Sequence, residues 1–120
     1  MPAKTCCFSG HRPNKLAFGH DEGHQACVAL RRGLADCVND LAKDGFTTFI
    51  SGMAMGSDLF FAEAVIEIRA AMPQLRLVAA VPYRGQARRW PKGYQRRYHN
   101  ILAAADEAVV LSHGYTPGCM

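Results

Sequence analysis

The chain has 120 residues, of which 49% are hydrophobic and 20% charged, and it carries a formal net charge of +4. This length holds one domain with one core, and the balance excludes disordered and fibrous classes. No segment approaches the roughly 18 consecutive apolar residues of a membrane span, and the N-terminal MPAKTCCFSG lacks the apolar centre of a signal peptide, so the sequence predicts a cytoplasmic protein without a membrane partner.

Lys4 to Ser9 is short, small and apolar and ends at Gly10, which suits a buried strand. From His24 to Lys43 the apolar positions Cys27, Leu30, Leu34, Val38 and Leu41 recur at three and four residues, which predicts a helix with one apolar stripe, ended by Gly45. Phe46 to Ser51 is a second strand, and Ser57 to Met72 a second helix, stopped by Pro73. Leu75 to Val81 is an almost wholly apolar third strand, as in a parallel sheet covered on both faces. Tyr94 to Ala105 returns to helical spacing, and Ala108 to Leu111 forms a fourth strand.

Strands that alternate with helices in the order βαβαβαβ predict about four parallel strands, right-handed crossovers and an α/β, Rossmann-like three-layer sandwich formed by a single domain over residues 1–120. With two helices expected on one face and one on the other, part of the sheet is left short of cover. The expected consequence is an exposed apolar area that a partner chain, as in a homo-oligomer, or further residues would cover.

The five cysteines, at positions 6, 7, 27, 37 and 119, include no CxxC pair and are expected to be reduced core residues, with adjacent Cys6 and Cys7 on opposite faces of a strand. HDEGH at His20 to His24 has its Glu in the wrong place for HExxH and no evident third ligand, so no metal site is expected there.

In open α/β sheets ligands lie beyond the carboxyl ends of the strands, so the segments that leave those ends are the places to look for chemistry. In SGMAMGSD, Ser51 to Asp58, the glycines Gly52 and Gly56 permit positive φ and close backbone approach just before a helix whose N-terminal amides favour an anion. The same stretch also reads as a plain strand-to-helix turn with Ser57 or Asp58 as N-cap. Asp58 would repel a phosphate, yet it could accept hydrogen bonds from a ribose hydroxyl. SGHRPNK, Ser9 to Lys15, repeats the glycine exit at Gly10 and adds His11 and Arg12 as anion contacts. Glu63, the one acid in the two turns that follow the loop, is a candidate acid or base beside Asp58.

Six of the 14 Lys and Arg residues fall between Arg84 and Arg97, interleaved with Trp90 and Tyr94. That mixture could hold single-stranded nucleic acid, although a solvated basic face over a core aromatic stripe explains it more simply. Gln86 and Trp90 could still edge a small-ligand pocket.

Four blocks carry a resemblance: FSGHRPNKL from Phe8, ISGMAMGSDLFFAEAV from Ile50, VPYRGQARRW from Val81, and YHNILAAADEAVVLS from Tyr98, followed by YTPGCM. Together, and in this order, they resemble the YpsA-like branch of the SLOG superfamily over nearly the whole chain. The resemblance implies a Rossmann-like fold that binds or senses a nucleotide or nucleotide-derived ligand of the ADP-ribose, NAD or AMP type. Wider relatives imply two alternatives, a phosphoribohydrolase that cleaves a nucleotide's N-glycosidic bond and a single-stranded DNA binder like DprA. On matching positions the ligand site would comprise Ser9, Gly10, His11 and Arg12, then Ser51, Gly52, Gly56, Ser57 and Asp58 with Glu63 behind them, and then Pro82, Gln86 and Trp90. Similar proteins continue with further C-terminal strands, which this chain is expected to lack.

Overall fold

The computed structural model describes residues 4–8, 25–82 and 85–111. Four strands, β1 (Lys4–Phe8), β2 (Phe46–Ser51), β3 (Arg76–Val81) and β4 (Glu107–Val110), alternate with three helices, α1 (Gln25–Lys43), α2 (Ser57–Arg69) and α3 (Lys92–Ala104). The strands are all parallel and lie in the order β1-β2-β3-β4, so the chain is an α/β, Rossmann-like sandwich.

The register lines up Cys6, Phe49 and Leu77 across the sheet, then Phe8, Ser51, Ala79 and Ala108, with Val81 beside Val110. On β2 and β3 these positions are buried, and those between them are partly exposed. Both α1 and α3 pack against α2, so the three helices form one layer over this face. The expected split of two helices and one does not occur. Strands laid side by side in chain order with right-handed crossovers put every helix on the same face, and a second face is used only where the strand order reverses. The third layer is therefore not built by the described helices, and β3 alternates in burial where cover on both faces was expected.

Position explains the composition of α2. With α1 and α3 on its flanks and β2 and β3 beneath it, its residues Ser57 to Ala62, Ala64 and Val65 are buried, as suits a helix that is apolar nearly all round. Phe61 stacks on Phe8 with ring centroids 4.7 Å apart and meets Phe49 at 6.1 Å, which joins α2 to two strands. On its other side Phe60 closes a smaller cluster with Cys27 and Leu34 of α1.

Helix ends differ from expectation for local reasons. α2 stops at Arg69, three residues early, as amides 70–72 bond back to Glu67 and Ile68 and the residue before Pro73 is steered away from helical dihedrals. α3 starts at Lys92, earlier than Tyr94, behind Pro91, whose carbonyl accepts from the Gln95 amide.

Of the described cysteines, Cys27 is buried and Cys6 half-buried, while Cys7 and Cys37 are exposed. The expectation of core thiols thus fails for two of them. Cys7 points to the sheet face that the helices leave open, and Cys6 takes the opposite, helix-covered face. No helix among the described residues is long and apolar enough to cross a membrane.

Asp106, just ahead of β4, fastens the far side of the sheet. Its Oδ2 accepts from the Leu77 amide at 2.7 Å and from Arg69 Nη1 at 2.7 Å, and its own amide donates to the Leu77 carbonyl at 2.9 Å. The Leu77 N–H, with help from Arg69, holds this carboxyl below its ordinary value of 3.8 against the opposing effect of burial. A depressed carboxyl stabilises the fold above its unfolded-state pKa, and that contribution is lost as pH falls through the folded one. Asp106→Asn is expected to lower stability by about 1–2 kcal/mol at neutral pH. Urea titrations repeated at decreasing pH should show the gap between wild type and variant closing below about 3.8; a gap independent of pH would refute this role.

Candidate functional site

β2 and β3 pair in register at Ser51 and Ala79, so the glycine turn after Ser51 and the turn after Val81 leave the same sheet edge side by side. The glycine turn is held from within. Ser51, fully buried, donates from Oγ to the Asp58 carbonyl at 2.9 Å and accepts from the Met53 amide at 3.2 Å. Asp58 Oδ2 accepts from the Ala54 amide at 3.3 Å and lies so close to Gly52 that a Cβ there would sit 3.0 Å from it. Asp58, itself buried, thus turns its carboxylate into the loop.

The turn departs from expectation in two ways. The N-cap of α2 is Gly56, with φ 93° and ψ −131° and no side-chain cap bond, and neither Ser57 nor Asp58 takes that place. The chain reaches the helix already turned by Ser51 and Asp58, which leaves the cap to a residue without a side chain. Positive φ occurs at Gly56 and at Met53 (63°), not at Gly52, where glycine serves close approach to the carboxylate instead. Met53 accepts the left-handed conformation while its side chain is fully buried in the core.

In the neighbouring turn, Gly85 has φ 79°, and its carbonyl accepts from the Arg88 amide at 3.0 Å. Gln95 Nε2 ties the turn to α3 through the Arg88 carbonyl at 2.8 Å. Pro82 is half-buried and Gln86 buried; the Gln86 Oε1 is enclosed and has no hydrogen-bond partner among the described residues. A buried acceptor in that state is costly and suits a donor brought by water or by a ligand. Trp90 meets Tyr98 edge to face at 5.3 Å, and burial raises the Tyr98 hydroxyl above its ordinary value. An open cleft of about 310 Å³ runs between this turn and α3, lined by Gly85, Ala87, Arg88, Gln95, Tyr98 and His99.

Glu63 lies between α2 and α3, where both of its oxygens meet the Arg97 guanidinium, Oε2 with Nε at 3.0 Å and Oε1 with Nη2. Arg97 also covers the Phe60 and Tyr94 rings at 5.3 and 5.8 Å. The carboxylate therefore has a helix-joining task, one that a pair 34 residues apart does not advertise in sequence. Arg88, Arg89, Lys92 and Arg96 are exposed, whereas Trp90 and Tyr94 are half-buried and Tyr98 buried, so the aromatic rings pack inward beneath the basic face. Ser9, Gly10, His11 and Arg12, the HDEGH stretch, Arg84 and the segment from Ser112 onward lie outside the described residues.

Residues 6–118 match the model of the YpsA family, described as the YspA SLOG family. Among similar curated proteins, a UPF0398 protein of Bacillus thuringiensis strain Al Hakam is 32% identical over 86% of this chain and 55% of its own length. A UPF0398 protein of Halalkalibacterium halodurans is 26% identical over 86% of this chain and 54% of its own, and one of Bacillus velezensis 25% identical over 92% and 60%. The chain thus spans little more than half the length of these relatives, whose names state no ligand or activity. A family match that runs from the first strand past the fourth, together with the parallel sheet and its glycine turn, places the chain in the YpsA family of SLOG proteins.

Proposed function

We propose that the chain works in the cytoplasm as a binding or sensing domain for a nucleotide or nucleotide-derived ligand of the ADP-ribose, NAD or AMP type, with a phosphate seated at the turn from Gly52 to Ser57. The observation that carries this reading is the inward engagement of Ser51 and Asp58. The Asp58 carboxylate, a candidate cap for α2, is committed to the Ala54 amide, Ser51 ties the strand end to the Asp58 carbonyl, and a glycine at φ 93° stands where a capping side chain would otherwise close the helix start. An anion approaching that end meets the positive pole of the helix without a capping side chain in the way. Asp58 holds its carboxylate against Gly52 and Ala54, so the phosphate is placed at the Gly56 end of the turn, away from that charge.

The adjacent turn supports a ligand larger than phosphate. Gln86 Oε1 offers a buried acceptor suited to a ribose hydroxyl or a base amine, and it leaves the same sheet edge as the glycine turn. Ser9, Gly10, His11 and Arg12 enter the reading through family resemblance alone.

Isothermal titration with ADP-ribose, NAD and AMP tests the proposal. Binding of at least one is expected, weakened at least tenfold in Gln86→Leu if the amide accepts from the ligand, a loss of about 1.4 kcal/mol. Absence of heat from all three at millimolar ligand would sink it for this chain.

A further inference from the structure

The cleft beside α3, of about 310 Å³, stands apart from the glycine turn. One wall is the turn after β3, through Gly85, Ala87 and Arg88, and the other is Gln95, Tyr98 and His99 of α3. No residue from Gly52 to Ser57 lines it, nor does Gln86, buried between Gly85 and Ala87. The two walls are fastened to each other. Gln95 Nε2 donates to the Arg88 carbonyl at 2.8 Å, the Trp90 amide donates to the Ala87 carbonyl at 3.0 Å, and the Trp90 ring meets Tyr98 edge to face. Both walls are described residues that precede β4, so the cleft is built by two packed elements of this chain.

Its chemistry is one-sided. The titratable groups of the lining are Arg88, Tyr98 and His99, and no Asp or Glu occurs in the chain from Gly85 to Ala104. Of the acids on neighbouring elements, Glu63 is engaged by Arg97, Asp106 by Arg69 and Glu107 by Arg76. Arg88 takes part in no ion pair, and its guanidinium in no hydrogen bond, among the described residues. Many surface arginines lack a partner, but this one is held in place. A Cβ on Gly85 would stand 3.4 Å from its Nη2, 3.5 Å from Cζ and 3.6 Å from Nε, so the guanidinium folds back over the turn instead of extending into solvent. A glycine at φ 79° leaves the room for it.

Tyr98 supplies a second unused donor. Its side chain is 5% exposed yet lines the cleft, its ring meets Trp90 and His99 at 5.3 and 5.4 Å, and its hydroxyl makes no hydrogen bond among the described residues. Burial keeps that hydroxyl protonated, and a protonated phenol can donate.

We propose that this cleft binds a small organic oxyanion, a carboxylate or a phosphate ester, whose anionic group rests on Arg88 with Tyr98 and His99 as further donors. A guanidinium fork matches the paired oxygens of either group. Arg89, Lys92 and Arg96, exposed on the same turn and helix, add a positive field that draws anions in. The volume lies near the lower end of the roughly 300–1,000 Å³ of small-molecule sites, which suits a compact metabolite better than a ligand of dinucleotide size. The site shares no wall with the glycine turn and is independent of a phosphate seated there.

NMR titration of the whole chain with inorganic phosphate or with succinate, each against sodium chloride of equal ionic strength, tests the site. Saturable shifts at Gly85, Arg88 and His99 are expected at millimolar concentration. A response to phosphate alone marks a phosphate-ester site, a response to succinate alone a carboxylate site, and a response to both an oxyanion site open to either. Arg88→Gln is expected to weaken binding at least tenfold, about 1.4 kcal/mol, and Tyr98→Phe, which removes only the hydroxyl, about fivefold. Arg89→Gln removes the same charge from outside the lining and is expected to change affinity by less than about twofold. Equal losses in the two arginine variants would reduce the cleft to part of a diffuse basic face, and shifts confined to residues 52–57 would assign the anion to the glycine turn alone. Either result, or no shift beyond the chloride control, overturns the proposal. The wild-type titration decides whether the cleft binds even if a variant fails to fold. Cleft shifts in a chain that gives no heat with ADP-ribose, NAD or AMP would sustain this site while the nucleotide reading fails.

Discussion

Phe61→Ala is expected to reduce the unfolding free energy by about 3–5 kcal/mol. The side chain is 2% exposed and central to the main core cluster. Its ring lies flat on Phe8 of β1, with planes 10° apart, and tilts against Phe49 of β2. Truncation would open a cavity walled by two rigid aromatic rings, a setting that relaxes poorly. Domains of this size have about 5–15 kcal/mol in total, so the variant should be close to unfolding at body temperature. Urea denaturation provides the measurement, and Phe61→Leu, which keeps most of the volume, should lose no more than about 1.5 kcal/mol. Equal losses from the two substitutions would show that the aromatic stack is not what joins α2 to the sheet.

The sequence made the elements legible because each has its own period: the apolar stripe from Cys27 to Leu41 emerges as the buried side of α1, and FTTFIS as a strand ending at Ser51. What periodicity does not encode is the order in which strands lie. A doubly wound sheet and a singly wound one share the pattern βαβαβαβ, and only the pairings of β1 with β2, β2 with β3 and β3 with β4 reveal that all three helices share a face. Cys7 follows from the same gap, since whether a strand thiol is covered depends on which face receives a layer, whereas Cys37 lies on α1 outside its buried positions Cys27, Leu34 and Val38.

The candidate site was legible to a similar depth. Glycines flanking a strand end announce a tight turn, and Gln86 stands out in its segment as an uncharged polar residue among arginines. The partners were not legible. That Ser51 and Asp58 bond into their own loop, or that Glu63 finds Arg97, depends on side-chain directions and on contacts 7 and 34 residues apart, which propensity and spacing leave undetermined. Likewise φ at Met53 and Gly52 is opposite to what residue type suggests, because burial of the Met53 side chain and the closeness of Asp58 decide it.

Gly56→Val is expected to abolish binding of an AMP-type ligand, with at least a hundredfold loss of affinity, about 2.7 kcal/mol. At φ 93° and ψ −131° a β-branched residue is excluded, so the variant must either distort the turn or place two methyl groups over the helix start where the phosphate would rest. Strain alone also destabilises, by about 1–3 kcal/mol, and a binding loss could then reflect a poorly folded chain. Gly45 supplies the control. It too has positive φ, 99°, but it lies between α1 and β2, at the opposite end of that strand from the glycine turn, with nothing within 4 Å of a Cβ. Gly45→Val should therefore cost comparable stability and leave binding unchanged. Gly52→Ala refines the comparison, because its Cβ would press on Asp58 Oδ2 and loosen the bond to Ala54, so an intermediate loss of affinity is expected. Thermal melts alongside ligand titration separate the outcomes. Affinity lost only in the two loop variants marks the turn as an anion cradle, whereas parallel losses at Gly45 and Gly56 would reduce it to a device for reversing the chain.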